Sequence, residues 1–210
     1  MGTLTAIAGN ARRKDRFSIE IDGSSVGLLS VDSISRLGLR EGIEIDDTKL
    51  ASIVHEVAVV KAFDRAILML TARSRARREL AMALRRTGEP SEAIEPALER
   101  LDRLGYLDDA AFARAYVRSK VATAGAGKGK IRGDLLRKGV SKPIADAAIE
   151  EVFDEQEVVE EDVVIALAQK RLKSLSGLDR ETQRRRLYGF LARRGFGADD
   201  VMRAVRAVIG

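Results

Sequence analysis

Two segments of this chain carry arginine at a spacing that can grip an anion twice. Arg78, Met82 and Arg86 stand four residues apart, as do Arg185, Gly189 and Arg193; the matching middle triplet is Gly129, Gly133 and Arg137. Residues four apart share one face of a helix. Each stripe therefore reads as a guanidinium, a small or flexible residue and another guanidinium, complete in two segments and half present in the middle one. The planar fork of arginine holds a carboxylate or phosphate through two parallel hydrogen bonds. A glycine or methionine between two forks is expected to leave room for a partner's backbone or a groove wall. With the neighbouring basic residues, the candidate contacts are Arg78, Arg86, Lys128, Lys130, Arg132, Arg137, Arg185, Arg193 and Arg194. The bland alternative is a solvated helix surface rich in arginine for its helix propensity.

Other constellations point to structure rather than chemistry. Asp108 and Asp109 could share a proton or hold a metal as a carboxylate pair, but they follow Gly-Tyr-Leu where a helix should start, and capping is the simpler role. Tyr106 and Leu107 are then expected to pack beneath that turn as a staple. His55, the single histidine, sits mid-helix with no cysteine in the chain, so a zinc site or a serine-histidine triad has no parts. Gly125 to Lys130 resembles a phosphate loop but has no Ser or Thr after Gly-Lys and no preceding strand, and it reads as a mobile linker. No catalytic residue, cofactor or metal is expected.

The elements that must position the stripes repeat three times. Leu80, Leu84 and Gly88 are followed by Ile94, Leu98 and Leu101. Ile131, Leu135 and Gly139 are followed by Ala145, Ile149 and Val152. Leu187, Leu191 and Gly195 are followed by Val201, Val205 and Val208. Apolar residues four apart make one helix face, the glycine ends that helix, and the next stripe begins a second one. An amphipathic helix precedes each pair, capped at Asp46 or Asp47 in the first and at Asp108-Asp109 in the second and running from Glu160 to Leu175 in the third, so each repeat is a three-helix unit with a period near fifty residues. The first of these long helices starts at Asp46 or Asp47 and reaches about Arg73, with Leu50, Val54, Val57, Ala58 and Leu68 among its apolar positions.

Residues 1–47 do not follow the repeat. Phe17, Ile19 and Ile21 alternate with polar residues and meet the turn sequence Asp22-Gly23-Ser24-Ser25 before Val26 and Leu28, which predicts a hairpin. A short helix capped by Ser30 or Asp32 and a brief strand at Ile43 and Ile45 should complete a small cap. The expected architecture is mainly α: tandem three-helix repeats at 48–104, 105–157 and 158–210, in an elongated, curved array behind an N-terminal β-hairpin region at 1–47.

Composition supports a helical binding protein. Hydrophobic residues make up 45% of the 210, enough for cores, while aromatics are only 4%, which weakens direct coating of single strands by base stacking. Net charge is +5 and is segregated, with acidic residues gathered from Glu150 to Asp162 between the second and third cadences. Such segregation on a repeat array fits a polyanionic partner or assembly. Without cysteine there are no disulfides, and no run approaches the roughly eighteen apolar residues of a membrane span. A soluble cytoplasmic monomer is expected.

The segment Gly105 to Ala113, GYLDDAAFA, resembles a motif of the RecX family, bacterial modulators of the RecA recombinase. Arg73-Ser74-Arg75 followed by Glu79-Leu80, and Leu136 to Val140 (LRKGV), are similar to two further elements of that family, and the hairpin from Arg16 to Val31 matches its start. The resemblance covers most of the chain. It implies a non-enzymatic regulator that docks in the groove of the RecA filament on single-stranded DNA, blocks its extension or promotes its disassembly, and so restrains recombinase, ATPase and co-protease activities. Weak direct DNA contact would accompany this. The alternative reading is a helix-turn-helix-like protein that binds duplex DNA directly, against which stands a separate basic stripe in each unit and little Asn or Gln for base readout.

Overall fold

The computed structural model describes residues 1–210, the side chain of Ala124 excepted, and the chain folds as two compact units, residues 1–107 and 108–210. In the first unit β1 (Gly2–Gly9), β2 (Arg16–Ile21), β3 (Ser24–Ser30) and the short β4 (Glu44–Ile45) form an antiparallel sheet in the order β3-β2-β1-β4. The expected hairpin is β2–β3, turning at Asp22 and Gly23, both with positive φ. The central strand β1 has no counterpart in the sequence reading. Gly2, Ala6, Ala8 and Gly9 make half of it small residues, yet its Leu4 is fully buried with Ile19, Leu29 and Ile45, and Ile7 packs against the same core.

After α1 (Val31–Arg36), the long α2 (Asp47–Ala72) starts at Asp46, whose carboxylate accepts from the Lys49 amide at 2.6 Å. Of the five apolar positions expected to face inward, Val57 and Ala58 pack against the core and the other three do not. Ile53, Glu56, Val59, Val60, Ala62 and Ala66 are buried, while Leu50, Val54 and Leu68 are exposed. The helix packs its N-terminal half on the sheet and its C-terminal half on α3 (Arg77–Arg86) and α4 (Ser91–Arg103), so no single stripe marks its inner face. At Gly27 of β3, φ is +147° and a Cβ would collide with Val57. The glycine lets α2 lie directly on the strand.

The second unit contains α5 (Asp109–Ala124), α6 (Lys128–Arg137), α7 (Lys142–Glu155), α8 (Glu160–Lys173), α9 (Arg180–Arg193) and α10 (Ala198–Ile209). The cadence holds in both units. Leu80, Leu84, Ile131, Leu135, Leu187 and Leu191 are fully buried, and Gly88, Gly139 and Gly195 have φ of +81°, +90° and +81°. The second helix of each pair buries its stripe, except that Ile209 rather than Val208 completes the last.

The Gly125–Gly129 segment is not a loose linker. Ala126 is buried, the Gly127 amide donates to the Arg194 carbonyl at 2.9 Å, and the Gly129 amide donates to that of Gly195 at 3.2 Å. A Cβ on Gly127 would stand 2.6 Å from the Gly195 oxygen. These glycines serve close approach of two backbones, a role that sequence alone cannot distinguish from flexibility.

Candidate polyanion interface

The basic clusters of the sequence are sorted by what each guanidinium or ammonium already holds. In the first cluster, Arg73 and Arg75 both reach Glu79, a carboxylate buried at the α2–α3 corner. Arg77 pairs with Glu95 and, at 2.9 Å, with Asp102, and these acceptors raise its pKa. Arg78, Arg85 and Arg86 remain exposed on α3 with no ion pair among the described residues.

The middle cluster is spoken for. Lys128 pairs with Glu150 at 2.9 Å and lies 4.9 Å from the centre of the Phe153 ring. Arg132 pairs with Asp146 of α7, Arg137 with Asp134, and Lys130 reaches Asp134 at 3.8 Å. Lys138 lies over the Tyr116 ring. Four expected contact residues, Lys128, Lys130, Arg132 and Arg137, thus face acids of their own unit, supplied by α7 and by Asp134. Exposed pairs of this kind contribute only about 0–1 kcal/mol each, but they neutralise the surface.

Asp134 also accepts from the Tyr116 hydroxyl at 3.1 Å. Burial, and then the charge and hydrogen bond of Asp134, push the Tyr116 phenol up to about 12. Phe112 stacks on the same ring with centroids 6.3 Å apart.

In the third cluster Arg184 donates to the Gly210 carbonyl at 2.8 Å. Arg194 is half-buried, with its guanidinium 5.1 Å from the centre of the Phe190 ring one turn back on α9, so it is partly engaged within its own helix. Arg185, Arg186 and Arg193 are exposed and have no ion pair among the described residues. The two complete stripes, Arg78 with Arg86 and Arg185 with Arg193, therefore survive as free cations. Eight residues of helix place the Cα atoms of each pair about 12 Å apart.

The small residue in each stripe has a different use from the one expected. Nη1 of Arg193 lies 3.2 Å from where a Gly189 Cβ would stand, and Nη1 of Arg137 lies 3.5 Å from that of Gly133. On α3, Nε of Arg86 donates to the Met82 carbonyl at 3.3 Å. The room above the small residue is taken by the arginine of the next turn, which lies back along the helix. A guanidinium held this way loses less rotamer freedom when it binds.

The remaining candidates resolve structurally. Asp108 accepts from the Ala111 amide at 2.8 Å as the cap of α5. Leu107 is buried but Tyr106 is 56% exposed, so the expected staple is only half made. His55 lies exposed on α2. Among the described residues no three His, Cys, Asp or Glu converge as metal ligands, and no helix is long and apolar enough to cross a membrane.

Sequence reasoning missed a set of shared carboxylates in the first unit. Glu56, buried in α2, accepts from Ser33 at 2.6 Å and pairs with Arg36 at 2.7 Å and Arg100 at 2.5 Å. Burial disfavours its charge, but the bonds from Ser33, Arg36 and Arg100 prevail and hold its carboxyl below the usual range. Asp64 likewise takes both Arg13 and Arg16. Glu89, where the other copies have Val140 and Phe196, is buried against Arg65 at 2.6 Å. The trace in the sequence is an acid where the pattern calls for an apolar residue, in helix α2 for Glu56 and after the repeat glycine for Glu89.

Comparison with known proteins matches three family models: the first three-helix domain of RecX over residues 62–101, the second over 108–149 and the third over 159–205. The regulatory protein RecX of Amycolatopsis mediterranei is 40% identical over 146 residues, 70% of this chain and 82% of that protein. That of Streptomyces coelicolor is 37% identical over 141 residues, covering 67% and 73%. The Geobacillus kaustophilus relative is 37% identical over 161 residues, and the match spans only 60% of its length. A crystal structure of regulatory protein RecX superposes over 99% of this chain with a TM-score of 0.81 and 25% identity. RecX from Lactobacillus salivarius shares the fold over 72% of the chain, with a TM-score of 0.61 and 22% identity. With three consecutive domains matched in order and relatives aligned over most of their length, the chain belongs to the RecX family of regulatory proteins.

Proposed function

We propose that this protein is a non-enzymatic regulator of RecA that binds the recombinase filament on single-stranded DNA and limits its growth or persistence, thereby restraining recombinase, ATPase and co-protease activity. The supporting observation is the survival of two free arginine stripes, Arg78 with Arg86 and Arg185 with Arg193, at equivalent helix positions, while Lys128, Lys130, Arg132 and Arg137 of the middle cluster pair with acids of their own unit. A filament offers carboxylates and phosphates at a regular spacing, and bidentate arginine suits both. In this reading the protein works as a cytoplasmic monomer, without a cofactor, and touches DNA directly only weakly.

The test compares three affinities at one salt concentration: for recombinase-coated single strands, for bare DNA and for free recombinase. A filament regulator binds the coated strand most tightly. A helix-turn-helix-like duplex binder holds bare DNA as well or better, and its affinity falls steeply with salt as counterions are released.

A further inference from the structure

A cleft of about 820 Å³ opens in the first unit between β2, α1, α2 and the end of α4. Phe63, Ile67 and Leu68 of α2 line it with apolar surface, joined by Leu104 and Tyr106, which follow α4. Leu68, Leu104 and Tyr106 are 64%, 62% and 56% exposed, which makes them among the most exposed large apolar side chains of the chain. Large apolar groups gathered at one concave place mark a binding surface rather than scattered surface residues.

The polar lining adds a sign. Five arginines line the cleft: Arg13, Arg16, Arg36, Arg100 and Arg103. The carboxylates that hold four of them are shared, since Asp64 takes Arg13 and Arg16 while the buried Glu56 takes Arg36 and Arg100. Arg16 also pairs with Asp15, so the outer guanidinia are those of Arg13 and Arg36, each sharing its carboxylate with a less exposed arginine. Arg103 is exposed and has no ion pair among the described residues, and five arginines against the four carboxylates of Glu56, Asp64, Asp15 and Asp32 leave the cleft one positive charge in excess.

We propose that this cleft docks a peptide segment of a partner protein in which carboxylates flank one large apolar side chain. The apolar residue would enter between Leu68, Leu104 and Tyr106, and its acidic neighbours would meet Arg103 and the outer guanidinia of the shared pairs. Charge complementarity selects an acidic segment. A nucleic acid strand fits less well, because Tyr106 is the one exposed aromatic of the lining, too few for successive bases to stack on, and Asp15 and Asp32 would face an unbroken row of phosphates. The cleft shares no residue with the α3 and α9 stripes, and the proposal does not rest on their role.

Fluorescence anisotropy of the full chain with a short fluorescein-labelled peptide, rich in Asp and Glu around a central Phe, tests this directly. The expected result is saturable binding that weakens about tenfold in Arg103→Glu, about tenfold in Leu104→Ser and about tenfold when the peptide Phe becomes Ser, while the Arg185→Ala/Arg193→Ala variant binds as the wild type. Both cleft positions are exposed, so the variants keep their fold, which circular dichroism verifies. Absence of saturable binding, equal binding by both cleft variants, or displacement of the peptide by a stoichiometric oligothymidylate would each overturn the proposal.

Discussion

Gly195 sits so close to Lys130 that a Cβ on the glycine would collide with the lysine backbone nitrogen. The start of α6 and the α9–α10 turn are thus joined backbone to backbone, through the amides of Gly127 and Gly129 and the carbonyls of Arg194 and Gly195. The second and third helical triples fold as one body because small residues permit that seam.

Gly195→Ala meets both the collision and a φ of +81° that alanine adopts reluctantly. A loss of at least about 2 kcal/mol is expected in urea unfolding. Gly177→Ala, where a Cβ meets nothing, should stay within about 0.5 kcal/mol of the wild type.

Glu56 ties α1, α2 and α4 together, and its folded-state carboxyl is held below the usual range. A depressed carboxylate contributes stability that is fully present above its unfolded value of about 4.5 and fades as pH falls through the folded one. Glu56→Gln should lower stability at pH 7 by about 2–3 kcal/mol, moderated because Arg36 is largely exposed. Denaturant melts below pH 5 should show the wild type losing that advantage, so that the two proteins converge.

Tyr116 should deprotonate near 12, later than an ordinary phenol. Its raised value stabilises the fold fully below the ordinary phenol pKa of about 10 and loses that contribution as pH rises from there toward 12. Absorbance titration of the phenolates should resolve a late component that disappears in Tyr116→Phe, with a stability change of about 1 kcal/mol at neutral pH.

Lys128 and Arg132 are neutralised by Glu150 and Asp146. The Lys128→Ala/Arg132→Ala variant should therefore retain filament affinity within about threefold, since it removes little free positive charge. A loss equal to that of the α9 arginines would mean that these pairs open on binding.

How much of this was legible beforehand differs by element. The cadence of apolar residues and glycines marked the helix pairs well, because Leu80, Leu84 and their equivalents each face one core. It failed on α2, where Leu50, Val54 and Leu68 look inward by pattern but the helix divides its faces between a sheet and two helices. Strand β1 escaped because Leu4 and Ile7, its two large apolar residues, stand three apart among small residues and do not alternate as a strand's inner face would. The arginine clusters were visible, but which arginines are free was not. That depends on acids such as Asp146 and Glu150, which the fold brings across from the next helix, and on buried ones such as Glu79.

The central claim is that the free stripes hold the filament. Its most direct test is the affinity of the Arg78→Ala/Arg86→Ala/Arg185→Ala/Arg193→Ala variant for recombinase-coated single strands, measured beside its melting temperature. Exposed and unpaired, these side chains should leave the melting temperature unchanged, while affinity falls at least about a hundredfold, some 2.7 kcal/mol. Wild-type affinity in a folded quadruple variant would contradict the account.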